Sequence, residues 1–201
     1  MVFDEFDLDL LKEISNIGAG NAAGSLSALV GQEIDISVPN CSMVGFSKIA
    51  DVMGGPENVL VGILVQLGGD FEGFILMMQE MDDAAKTLKL LMNLDELPGP
   101  ELSLEELEPM KEVCNILVGS YVSALTSMTG LKIVPSVPSM TVDMAMAIMN
   151  VPALVYGEVG EYVLVLDTKF GGKSEEENIN GHFLLIPTIE SFETLKKALM
   201  G

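Results

Sequence analysis

The chain opens on a helical pattern. Between Asp9 and Leu29, the residues Leu11, Ile14, Gly18, Ala22, Ser25 and Leu29 fall on one side of a helix wheel. Leu10, Ile17 and Leu26 flank that side. Opposite them, Asp9, Glu13, Asn16 and Gly20 lie within about 60° of one another. The pattern predicts a long helix with a broad core-facing side and a narrow stripe of carboxylate, carboxamide and bare backbone. Gly18, Gly20 and Gly24 interrupt an otherwise helix-favouring stretch, each at roughly 1 kcal/mol relative to Ala. Gly18 points to the core, where close helix packing accounts for it. Gly20 follows Asn16 by one turn on the polar stripe, where a bare backbone lets another surface approach the carboxamide. Downstream, Glu33–Val38 alternates strictly, with Ile34, Ile36 and Val38 on one face, and predicts a strand.

The same pattern returns 99 residues later. Glu13–Pro39 aligns without a gap on Glu112–Pro138, with ten of 27 positions identical. The polar stripe recurs as Glu108, Glu112, Asn115 and Gly119, and the downstream proline as Pro138. Pro109 suits a first helical turn and places Glu108 at the boundary. Pro135 takes the slot of Ile36, which predicts an edge strand in the second copy. Each half reads as a long helix, a strand, a loop or short helix, two strands and a closing helix. Leu97–Glu106 is the joint between them. Neither half offers a complete sheet. The expectation is therefore one α/β (α+β) domain over residues 1–201, a pseudo-twofold of two repeats, 5–97 and 104–201. They share a central sheet with both long helices on one face.

Composition narrows the chemistry. The chain is 49% hydrophobic, with a net charge of −20. Ten Lys and Arg argue against nucleic acid and against anionic membranes. The acid excess serves solubility, or steering of a basic partner patch. No stretch approaches a membrane-spanning run, and the acidic start "MVFDEFDLDL" lacks a signal peptide's basic region, so a cytoplasmic protein is expected. Cys41 and Cys114 read as small buried thiols, and His182 as a strand residue rather than a ligand. One His and no cysteine pair at ligand spacing leave no basis for a metal site.

The stripe, the glycine and the proline resemble the CheC family of chemotaxis phosphatases, with the signature Asp/Ser-x3-Glu-x2-Asn-x22-Pro. The first copy matches it fully at Asp9, Glu13, Asn16 and Pro39. The second matches at Glu112, Asn115 and Pro138, with Glu108 in the place of Asp or Ser. The resemblance implies a CheC-like fold and hydrolysis of the aspartyl phosphate of the response regulator CheY. It casts Asn16 and Asn115 as water-positioning groups, and Glu13 and Glu112 as partners of the regulator's active-site Lys. It implies no cofactor of the chain's own, with Mg²⁺ belonging to the regulator. Pro39 and Pro138 are cast as structural, each ending a strand beneath a site. It also implies binding of the receptor deamidase CheD through a helix "TVDMAMAIM" bearing Asp143. A monomer is expected. The alternative is a non-catalytic flagellar-switch or adaptor protein that binds CheY or CheD without hydrolysis.

Overall fold

The computed structural model describes residues 3–99, 101–156, 162–171 and 179–200. Helix α1 spans Glu5–Val30. Asp4 and Asp7 start it with a reciprocal capping box, and Gly31 ends it at φ 73°, where a glycine adopts the left-handed conformation without strain. Strand β1 (Asp35–Gly45) follows, then a 3-10 turn at Phe46–Lys48 and a short α2 (Ile49–Val52). Strands β2 (Val59–Gly69) and β3 (Gly73–Glu80) and helix α3 (Met81–Met92) close the first half. The second half opens with α4 (Leu104–Leu107) and α5 (Pro109–Thr129). Strands β4 (Ile133–Pro135) and β5 (Ser139–Met144) come next, then α6 (Ala145–Tyr156). Strands β6 (Tyr162–Gly171) and β7 (Ile179–Pro187) and helix α7 (Ile189–Met200) complete it. Pro109 is the first residue of α5, as its missing N–H favours.

Among the described residues seven strands form one sheet, in the order β1-β6-β7-β3-β2-β4, with β5 also paired to β2. Every pairing is antiparallel. Strands β3 and β7 meet at the centre. The first half's β1 pairs with the second half's β6, and the second half's β4 and β5 pair with the first half's β2. Each half thus hands its outer strand to the other.

The sheet is covered on both faces, which is why β2 and β3 are nearly continuous apolar runs. On one face Val61, Ile63 and Val65 of β2, Ile75 and Met77 of β3 and Leu185 of β7 pack with α1, α3, α5 and α7. On the other, Leu60, Phe74, Leu76 and Leu184 pack with residues of α2 and α6. Gly62 admits α6 there: a Cβ would lie 2.8 Å from Ile148 Cγ2. The two long helices lie together on the first face, in contact at Gly18, where a Cβ would meet the Tyr121 ring at 2.5 Å and its Cα at 3.0 Å.

Four expectations need correction. The buried line of α1 runs through Leu11, Ser15, Gly18, Ala22 and Leu26, and Leu29 and Ser25 are exposed. Its steps are slightly longer than the 3.6-residue turn, so the contact line drifts around the helix. Pro39 does not end a strand. It sits inside β1, where the pairing with β6 shifts register between Ser37 and Asn40; an edge position tolerates a residue without an N–H. Pro138 lies in the gap between β4 and β5. Asp143 is on β5, opposite Leu60, and not on a helix, because Thr141 and Val142 continue the sheet and α6 begins at Ala145. Cys114 is buried, but Cys41 is only half-buried, since β1 lies at the sheet edge.

Candidate functional site

Both stripes face outward. On α1, Asp9, Glu13 and Gly20 are exposed and Asn16 is half-buried. Glu108, at the N-cap of α5, and Glu112, Asn115 and Gly119, on the helix itself, are all exposed. A Cβ built on Gly20 or Gly119 meets nothing within 4 Å, so the protein's own packing does not require glycine at either place. What the two glycines leave is open space beside each carboxamide.

The two carboxamides differ in their neighbours. Asn16 is clamped to the register shift in β1. Its Oδ1 accepts from the Val38 N–H at 2.9 Å, and its Nδ2 donates to the Val38 carbonyl at 3.3 Å and the Lys12 carbonyl at 3.1 Å. A carboxamide offers two donors and two acceptor sites, so one acceptor position on Oδ1 is left for a water. This explains the 22-residue spacing to Pro39: the proline fixes the corner whose preceding peptide holds Asn16. The Asn16–Val38 clamp was missed in the sequence, and that fixed spacing was its signal. In the second copy the matching Val137 is 86% exposed. With Pro135 ending β4 and Pro138 following, the chain turns outward there, and Asn115 hydrogen-bonds to none of the described residues. Glu108 accepts from Lys111 Nζ at 2.8 Å, an exposed pair one turn above Glu112.

No thiol is poised to act as a nucleophile near these stripes. Burial pushes the Cys114 thiol up to about 12 and, against the opposing pull of Lys12, the Cys41 thiol up to about 11. Among the described residues, no three of His, Cys, Asp and Glu come together at a site that could hold a metal ion. His182 is a strand residue, paired through Nδ1 with Asp167 at 2.9 Å, and Asn40 Nδ2 donates to the same carboxylate at 3.1 Å. This cross-strand trio lies on the α2/α6 face and was not foreseen. Asp143 is exposed at the end of β5, with its carboxylate accepting from the Met144 N–H.

The model of the CheC-like family matches residues 6–43, the segment that carries the first stripe, Asn16 and Pro39. The chain is 30% identical to the CheY-P phosphatase CheC of Bacillus subtilis, over 97% of this chain and 94% of that one. Its fold is similar to that of Thermotoga maritima FliY, with a TM-score of 0.80 at 20% identity, covering 100% of this chain and 98% of the other. It is also similar to the FliM middle domain from H. pylori, with a TM-score of 0.70 at 11% identity, covering 97% and 99%. The 30% identity over nearly the whole of both sequences, with the family model matching the segment that carries the first stripe, establishes that the chain belongs to the CheC-like family.

Proposed function

We propose that the protein hydrolyses the aspartyl phosphate of a CheY-type response regulator, using Glu13 with Asn16 and Glu112 with Asn115. The observation that carries this reading is similarity to a CheY-P phosphatase over 97% of the chain, together with an exposed Glu one turn before a carboxamide, half-buried at Asn16 and exposed at Asn115, on each of two long helices. An acyl phosphate is already activated, so the catalyst needs neither a nucleophile nor a metal of its own. It has to hold a water in line with the phosphorus. The carboxamide orients that water, and the carboxylate pairs with the regulator's lysine and sets the docking register. The water oxygen bonds to phosphorus as the phosphorus–carboxylate bond breaks. The regulator's aspartate carboxylate is regenerated as the leaving group, inorganic phosphate is released, and the proton leaves with the phosphate or to solvent. Mg²⁺ belongs to the regulator. Phosphate loss from a phosphorylated CheY-type regulator should be faster with the protein than without it. Equal rates would remove the proposal, and equal rates with demonstrable binding would favour a scaffold. The fold likeness to a FliM middle domain raises that second reading.

We further propose that the deamidase CheD binds around Asp143. Met144, Met146, Val151 and Leu154 are exposed there, beside a groove of about 190 Å³ lined by Thr141, Asp143, Ala147 and Ile148. Asp143→Lys should abolish CheD binding in a pull-down and leave phosphate release unchanged. Loss of both would mean that the surfaces overlap or that the fold is damaged, which circular dichroism separates.

A further inference from the structure

The segment joining the two halves is chemically one-sided. From Met92 to Glu108 it carries Asp95, Glu96, Glu101, Glu105, Glu106 and Glu108, and no Lys or Arg. Its apolar side chains do not all turn inward. Met92 is 55% exposed, Leu94 37%, Leu97 54% and Leu104 51%. The reason is local. Helix α3 ends at Asn93, which takes the left-handed conformation at φ 50° and turns the chain away, and α4 is only four residues long. A groove of about 260 Å³ remains between the end of α3 and the α4–α5 junction, lined by Leu88, Met92, Leu94 and Leu102, with Glu105 and Glu106 also on its walls.

The geometry points to this groove as the docking site for a basic amphipathic helix of a partner protein. Such a helix presents Leu, Met or Phe at helical spacing, with Lys or Arg on its flanks. The apolar floor takes the large side chains. Glu106 is engaged with Ser103, and Glu108 with Lys111. Asp95, Glu96, Glu101 and Glu105 have no ion-pair partner among the described residues and face outward. Cations at the flanks of an incoming helix would supply what this segment lacks. A second copy of this chain fits poorly, because it would set carboxylates against carboxylates. The proposal is independent of the phosphatase reading, since it uses neither Glu-x-x-Asn pair.

The test uses the full chain and a fluorescein-labelled helical peptide of about 18 residues, with Leu on one face and Lys on the other. Two controls accompany it: the same composition scrambled to break the periodicity, and Glu in place of every Lys. Saturable anisotropy is expected with the first peptide alone, with amide shifts clustered at Leu88–Leu94 and Leu102–Leu107. The variant Met92→Glu with Leu94→Glu should weaken binding about tenfold or more. Because these positions sit at or beside a helix end, circular dichroism checks the fold, and Glu105→Lys, at an exposed position on the groove wall, should also weaken binding. Absence of binding, equal binding of the scrambled peptide, or shifts on another face would overturn the proposal. So would sedimentation showing a dimer that Met92→Glu dissolves, because the occupant would then be a second copy.

Discussion

Asn16 and Asn115 occupy matching positions, yet among the described residues Asn16 is built into the backbone around it and Asn115 is not. Removing its side chain leaves the Val38 N–H without an acceptor at a position where Val38 itself is buried. Asn16→Ala should therefore cost about 1–3 kcal/mol and lower the melting temperature. Asn115→Ala, at an exposed position with no hydrogen bond among the described residues, should stay within about 0.5 kcal/mol. A melting temperature unchanged in Asn16→Ala would contradict the clamp. On the proposed chemistry each single variant keeps the activity of its other site, and only the double variant loses all of it. Glu13→Ala and Glu112→Ala should act differently, raising KM more than they lower kcat, because a charge-assisted contact of roughly 1.5–3 kcal/mol is lost on docking.

At the scale of the helix, glycines in one element have opposite reasons. Gly18 is pressed against Tyr121, so Gly18→Ala should destabilise by about 1–3 kcal/mol through overpacking. That exceeds the gain of at most about 1 kcal/mol from helix propensity. Gly20 and Gly119 face open space, so Gly20→Ala and Gly119→Ala should raise the melting temperature by the propensity gain alone. If the polar stripe is where the regulator docks, the same two variants should slow phosphate release while stabilising the protein. Thermal denaturation and a phosphate-release assay on the same samples separate the two effects. Stabilisation with undiminished release would show that the bare turn does not serve close approach.

At the scale of the whole molecule, the exchange of outer strands decides what can fold alone. Among the described residues, β1 pairs only with β6, while β4 and β5 pair only with β2. Residues 5–97 on their own would leave β1 without a partner and β3 without its central neighbour β7. The isolated half should show no cooperative thermal transition by circular dichroism. Co-expression with residues 104–201 should restore one. A cooperative melt of either half alone would contradict the dependence drawn from the sheet.

Much of this was legible in the chain itself. The polar stripe, the long helices and the alternating strand before Pro39 follow from periodicity and backbone preference, which act over a few residues. The candidate pairs Glu13/Asn16 and Glu112/Asn115 were legible for the same reason, since three-residue spacing puts both groups on one helix face. Tertiary structure decided what depends on contacts between distant segments. That Pro39 bends a continuous strand, while Pro135 and Pro138 split its counterpart, depends on which strand lies alongside. That Asp143 belongs to β5 depends on β2 being its neighbour, since "TVDMAMAIM" by itself permits either a helix or a strand. The clamp on Asn16 and its absence at Asn115 arise from the same source. A carboxamide's partners are set by where a strand 22 residues away comes to rest, and local sequence does not encode that position.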